Sequence, residues 1–261
     1  MNADDTSMES LSDFMKDHTA MHDELPFVHS TLSSNMRSIA ENDELTPQHC
    51  NVFDEPLLYF FYGRPSYRSR IGTMPNTTIP FCPVCFILKG NRLPAPPARI
   101  YPFDSGAAKS DRFDPPVNSS DVDNFELDLS FEAIRKFTNR FFETNGEYFF
   151  GNPRREVFIP PDAESARQYY ELVTIEGETE HDDRRSAIEI QYRENIKLRD
   201  RLWAVVLPLS LMEDGELRHK IVTEWGAYPI TYSTTKGMAP SSYSATIRVL
   251  YEKWLQIGGM I

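Results

Sequence analysis

The sequence has few cysteines, no long apolar run and no excess of positive charge, and each shortage excludes a class of protein. Three cysteines in 261 residues are too few for a disulfide framework. No stretch approaches the roughly 18 consecutive apolar residues of a transmembrane helix, and no charged-then-apolar leader opens the chain. We therefore expect a cytoplasmic protein with no membrane partner.

Several catalytic fingerprints are also missing. The 12 glycines are scattered and form no G-x-G-x-x-G motif, so the usual phosphate-binding and dinucleotide-binding loops are absent. There is no G-x-S-x-G nucleophile elbow and no H-E-x-x-H zinc motif. With 40% hydrophobic and 25% charged residues, the composition is that of an ordinary globular protein.

The net charge of −12 is unevenly distributed along the chain. Residues 1–24 contain seven acidic residues and one lysine without a clear apolar period, which predicts an acidic, flexible N-terminal tail before a single domain over 25–261. The stretch 62–112 has eight basic residues against two acidic ones. This stretch could bind an anionic ligand, or its bases could pair with the acidic segments.

The hydrophobic pattern alternates between strand-like and helix-like segments without a clean β-α-β repeat, which predicts an α+β fold. We expect strands at 25–31, 56–62, 79–88, 156–159, 202–212 and 228–232, and helices at 32–41, 131–142, 164–172, 186–201, 215–225 and 241–257.

Three sites place reactive side chains at the ends of apolar strands. His29 and Thr31 can hydrogen-bond a polyhydroxylated ligand, or they can be a structural helix cap. Four consecutive aromatic residues, 59–62, precede a turn with Arg64, which suits a nucleotide or simply a buried strand beside a surface arginine. Glu156 opens a third apolar segment next to two arginines, either as a positioned acid or in a salt bridge.

A C-x-x-C motif, Cys82 to Cys85, lies downstream of His49-Cys50, and four such groups could form a zinc site. The motif falls in an apolar, strand-like run, however, and no second pair follows. Cysteine is also a common buried residue, so we expect no metal.

Read in order, these segments resemble DarT-type ADP-ribosyltransferases. The similarity begins at His29-x-Thr31 and continues through the aromatic strand from Leu58 to Arg64. Phe103–Ala107 is similar to the family's Phe-Thr-Asp-Gly-x-Ala turn, and Arg154–Pro160 resembles the strand that carries its catalytic glutamate. The turn here reads Tyr-Gly-Arg where the family has Asn-Pro-Arg, and the resemblance covers roughly residues 25–235.

The resemblance implies an ADP-ribosyltransferase-like fold, a split mixed β-sheet flanked by helices. It also implies a reaction that breaks the nicotinamide–ribose bond of NAD through an oxocarbenium-like state and needs no metal. Glu156 would stabilise the positive charge or accept a proton, and Arg64 would clamp the pyrophosphate or steer the acceptor. The assigned residues are Glu156 and Arg64 as catalytic, and His29, Thr31, Tyr59, Tyr62 and Arg68 as NAD-binding.

The family resemblance further implies a base of single-stranded DNA or mRNA as acceptor, because a base must be unstacked to reach such a site. The expected role is that of a toxin or anti-phage effector, with an antitoxin protein as a possible partner. Two alternatives remain open. One is a catalytically silent fold that serves as a protein-binding module, and the other is an RNA 2′-phosphotransferase that also uses NAD.

Overall fold

A computed structural model describes residues 10–66, 79–175 and 183–261. The helices are α1 (Leu11–Met15), α2 (Met36–Asn42), α3 (Ser105–Ala108), α4 (Phe131–Phe141), α5 (Asn145–Phe150), α6 (Glu164–Thr174), α7 (Gly215–His219) and α8 (Tyr243–Ile257). The strands are β1 (Phe27–Leu32), β2 (Glu44–Leu45), β3 (Gln48–Cys50), β4 (Glu55–Tyr62), β5 (Pro83–Leu88), β6 (Arg99–Tyr101), β7 (Glu189–Tyr192), β8 (Ile196–Lys197), β9 (Leu202–Pro208) and β10 (Tyr228–Tyr232). The predicted α+β class is confirmed.

The described residues form two compact units, one from within 1–23 and 96–189 and the other from within 24–95 and 190–261. The first unit is mainly helical. Its core is aromatic: Tyr169 of α6 packs edge-on against Phe137 and Phe141 of α4, with ring centroids 4.8 and 4.9 Å apart. Helix α4 begins at Ser130, whose hydroxyl accepts a hydrogen bond from the backbone N–H of Ala133.

Helix α1 lies within the segment that the sequence predicts to be an acidic tail. Its Leu11 is fully buried and its Phe14 ring lies 6.2 Å from that of Phe141. Two apolar positions three residues apart are enough to anchor one helical turn against a neighbouring helix. The short length of α1 explains why no apolar period is visible in the sequence.

The second unit is built on a mixed, mostly antiparallel sheet with the strand order β10-β9-β5-β1-β4-β7, in which β9 and β10 run parallel. Strand β3 pairs with β4, and β2 forms a separate ladder with β8. The central strands are buried on both faces, as the fully buried consecutive residues Cys85, Phe86 and Ile87 of β5 illustrate. Helix α8 packs on this sheet through the buried side chains of Ile247 and Tyr251.

Two predicted elements are wrong. Residues 186–201, predicted as a helix, form β7 and β8, because their apolar side chains are buried by pairing with other strands rather than by a helical face. Residues 156–159, predicted as a strand, have no regular structure, and Phe158 is 79% exposed. Local alternation of apolar residues does not make a strand where no partner supplies a hydrogen-bond ladder.

Candidate functional site

A local split between two central strands creates a cavity in the second unit. Strand β1 pairs with β5 along all six of its residues, but it pairs with β4 only at Phe27 and Val28. Beyond Val28 the two strands part. The cavity that opens there has a volume of about 670 Å³ and is also walled by α2 and by the segment 44–52. We call it the split cavity, and its size is in the range of small-molecule sites.

His29 bridges the split where the backbone ladder stops. Its Nδ1 lies 2.8 Å from the carbonyl oxygen of Tyr59, so the imidazole holds β1 and β4 together at the mouth of the gap. Burial lowers the pKa of His29, only partly offset by this hydrogen bond. The ring is therefore neutral at physiological pH, with Nδ1–H as donor and Nε2 as a hydrogen-bond acceptor.

The other residues of β1 and β4 that the sequence predicts to bind NAD do not all line the split cavity. Tyr59 lines the split cavity, and its hydroxyl donates a hydrogen bond to Cys50 Sγ at 2.8 Å. Thr31 also lines the cavity and accepts a hydrogen bond from the side-chain amide of Asn35 at 2.8 Å. Tyr62 lies in the core instead, where its hydroxyl accepts a hydrogen bond from the backbone N–H of Leu25 at 2.9 Å.

Arg64 follows a turn that only glycine fits. Gly63 has φ +61°, and a Cβ placed there would lie 2.5 Å from Leu25 Cδ1. This close approach turns the chain so that the Arg64 side chain is fully buried. Arg64 is therefore not the surface arginine of the alternative interpretation, and its contact with a ligand stays a prediction. Arg68 lies outside the described residues.

Glu156 belongs to the first unit and is exposed on an irregular segment. Its neighbour Tyr170 donates through its hydroxyl to the backbone carbonyls of Arg154 and Arg155, at 2.9 and 2.6 Å. The pKa of Tyr170 is raised, mainly by burial and further by the charge of Glu156. The two hydrogen bonds from Tyr170 hold the backbone of the irregular segment in place at residues 154–155.

A second glutamate was missed by the sequence reading. Glu189 opens strand β7, is only 2% exposed, and accepts a 2.5 Å hydrogen bond from the Ser105 hydroxyl at the start of α3. Buried carboxylates are rare and are kept where they have partners. The signal was present in the alternating sequence Glu189–Tyr192, but the helix prediction over 186–201 concealed it.

The cysteines of the C-x-x-C motif are buried thiols in the apolar sheet. Burial raises the pKa of Cys85 to about 12 and raises that of Cys82 as well, so neither is a ready thiolate. Within residues 10–66, 79–175 and 183–261, no group of three or more His, Cys, Asp or Glu side chains is placed to hold a metal ion. In the same ranges no helix is both long and apolar enough to cross a membrane.

The basic stretch 62–112 is divided by the fold. Its described bases fall in both units, with Arg64 buried and Lys109 paired with Asp123 at 3.0 Å. Comparison with known proteins assigns the chain to no group: no family model, no curated protein and no solved structure matches it.

Proposed function

We propose that this protein is an NAD-dependent ADP-ribosyltransferase that modifies a base of single-stranded DNA or mRNA, as a toxin or anti-phage effector. The observation that carries the proposal is the parting of β1 and β4, which brings His29, Thr31 and Tyr59 to one cavity. These are three of the residues that the sequence resemblance assigns to NAD. The ADP-ribosyltransferase-like sheet is part of the same proposal.

The chemistry of the three side chains suits a nicotinamide nucleotide. The neutral His29 can accept a hydrogen bond from a ribose hydroxyl through Nε2, and Thr31 can do the same through its hydroxyl oxygen. The Tyr59 ring provides a stacking surface for a planar base. A volume of about 670 Å³ accommodates a ligand of this class.

The reaction also needs a carboxylate, and two glutamates compete for this role. The resemblance assigns it to Glu156. Glu156 lies on an irregular segment and not on the predicted strand, whereas Glu189 is a buried glutamate at the start of strand β7.

In this proposal Arg64 does not contact the reacting groups directly. Its guanidinium is fully buried behind the Gly63 turn, at the end of the strand that carries Tyr59. We treat it as a positioning residue that keeps β4 in place. Its replacement should therefore lower both the melting temperature and turnover, whereas loss of a direct pyrophosphate clamp would lower turnover alone.

The test is transfer of label from ³²P-NAD to separate pools of single-stranded DNA, mRNA and protein, followed by mass spectrometry of the product. Wild type should label a nucleic-acid pool, and His29→Ala should reduce labelling by about 100-fold, the scale of a lost positioning or acid–base group. Lys253→Gln, an exposed change on α8, is the matched control and should keep full activity.

Glu156→Gln and Glu189→Gln are compared in the same assay. The variant that abolishes labelling while keeping the wild-type melting temperature identifies the carboxylate. Wild-type protein that labels none of the three pools overturns the proposal. Labelling of the protein pool alone would show that the acceptor is a protein and not a nucleic acid.

A further inference from the structure

A second, basic cavity lies in the same unit as the split cavity. It has a volume of about 500 Å³ and is lined by Asp43, Arg92, Lys197, Arg199, Asp200 and Arg201. We call it the basic pocket. Four cations and two carboxylates line it, a local excess of positive charge in a protein whose net charge is −12. Local charge of this kind attracts anions whatever the total charge.

Backbone and side-chain hydrogen bonds fix the basic pocket. Arg201 donates from Nε to the carbonyl of Arg92 at 2.8 Å and from Nη1 to the carbonyl of Lys197 at 2.9 Å. The backbone N–H of Lys89 donates to the carbonyl of Arg201 at 2.8 Å. Two loops far apart in sequence, 89–92 and 197–201, are therefore held together by one arginine.

The four cations differ in how far carboxylates neutralise them. Lys197 pairs with Glu44 at 2.8 Å, and Arg199 pairs with both Glu224 at 3.3 Å and Asp43 at 3.9 Å. Arg92 and Arg201 have no carboxylate within salt-bridge distance in the part of the chain that the structure describes. Arg92 is exposed, and a guanidinium has five N–H donors in a fork that matches two phosphate oxygens.

The basic pocket and the split cavity share one turn. Asn42 and Glu44 line the split cavity, whereas Asp43 between them lines the basic pocket. Asp43 is left-handed, with φ 62°, and its carbonyl accepts a hydrogen bond from the backbone N–H of Leu198 at 3.1 Å. A ligand that crosses this turn would contact both cavities.

We propose that the basic pocket binds the phosphodiester backbone of single-stranded nucleic acid, with Arg92 as the main phosphate contact, Arg199 as a second contact that its two carboxylate partners weaken, and Arg201 as the residue that holds the two loops together. If the protein is the proposed transferase, the basic pocket is the surface that binds its nucleic-acid acceptor. Only this role of the pocket rests on the proposed function. Binding itself needs neither NAD nor catalysis. The carboxylates of Asp43 and Asp200 oppose an anion here, so the affinity should be modest and sensitive to salt.

The test is fluorescence anisotropy with labelled dT12 and U12 oligonucleotides in about 50 to 200 mM NaCl, a range over which phosphate contacts weaken strongly. Arg92→Gln/Arg199→Gln should weaken binding by about tenfold or more, and should make the salt dependence shallower by about 0.7 per lost phosphate contact. The control Lys236→Gln/Lys253→Gln removes the same charge from exposed positions outside the pocket and should bind as wild type does.

Other results would overturn the assignment. One is that the wild-type protein binds no oligonucleotide, and the other is that both double variants lose the same affinity for it. Weaker binding of NAD with unchanged oligonucleotide binding would place the phosphates of the dinucleotide in the pocket, and an equal preference for hexaglutamate would make it a site for acidic protein. Oligonucleotide binding through this pocket without any label transfer would support the pocket and refute the transferase.

Discussion

The split cavity and the basic pocket lie on either side of the 42–44 turn but are built by different physical means. The split cavity arises from a break in strand pairing, and it presents a neutral imidazole, a hydroxyl and an aromatic ring. The basic pocket arises from two loops joined through Arg201, and it presents cations. The groups in the split cavity suit the ribose and base of a nucleotide, and those in the basic pocket suit phosphate. The comparison suggests that recognition of shape and recognition of charge are separated in this unit.

Asp43 connects the two regions, and its removal should have the largest effect. Its carboxylate accepts a hydrogen bond from Trp225 Nε1 and lies 3.5 Å from Lys220 Nζ and 3.9 Å from Arg199 Nε. Asp43→Ala leaves these donors without their acceptor and places alanine at a positive φ. We expect a loss of about 2–3 kcal/mol in the free energy of unfolding, measured by urea denaturation.

Asp43→Asn is the matched variant, because asparagine tolerates the left-handed conformation and keeps an acceptor for Trp225. It should cost clearly less stability than alanine does. It should also tighten oligonucleotide binding, because it removes one of the two carboxylates that line the basic pocket. An asparagine variant as unstable as the alanine variant would show that charge, not hydrogen bonding, holds the turn.

The two tyrosines of β4 separate stability from ligand binding. Tyr62→Phe removes the buried acceptor of the Leu25 N–H and should cost about 1–2 kcal/mol, with label transfer retained. Tyr59→Leu removes a ring from the split cavity and should weaken NAD binding by about tenfold, the lower range of base–aromatic stacking. Calorimetric titration with NAD and thermal melts of both variants check this. The reverse pattern would place NAD elsewhere.

The smallest expected effect is a difference in pH dependence between the two regions. The folded-state pKa of His29 is lowered by burial, so its contribution to stability is complete above its unfolded pKa of 6.5. That contribution is lost as the pH falls through 6.5 towards the folded pKa. His29→Asn should lose less stability than wild type between about pH 7 and pH 5. Parallel stability curves would contradict this assignment.

Oligonucleotide binding provides the contrast. No histidine is among the described residues that line the basic pocket, and histidine is the side chain whose ordinary charge change falls between about pH 5 and 8. Binding measured by anisotropy should therefore be flat over this range. A histidine-like pH dependence of oligonucleotide binding would indicate that the nucleic acid also contacts the split cavity.

Much of the second unit was predictable from local pattern. Strands at 27–32, 55–62 and 228–232 follow from dense apolar and aromatic runs that are bounded by turn residues. His29 and Thr31, the polar residues of β1 that the sequence singles out as candidates, both line the split cavity, and their role stays a prediction. Strand alternation also required that the aromatic residues 59–62 face two ways, and Tyr59 and Tyr62 do so.

The errors occur where partners distant in sequence decide the structure. Residues 186–201 form strands because β4 and β2 supply the hydrogen-bonding edges, and residues 156–159 stay irregular because no strand pairs with them. Glu156 therefore does not open a strand, whereas Glu189 opens β7. The basic pocket was missed for the same reason, because Arg92 and Arg199 line one pocket only in the folded chain, where Arg201 joins the loops 89–92 and 197–201.

The sequence alone determined the α+β class, the apolar strands and the chemical character of their polar ends. These depend on composition and short-range periodicity, which the chain carries locally. Tertiary structure decided where β1 and β4 part, which tyrosine faces the cavity and which cations converge. The physical reason is that a cavity is defined by where pairing and packing stop, and that depends on all the partners a segment finds.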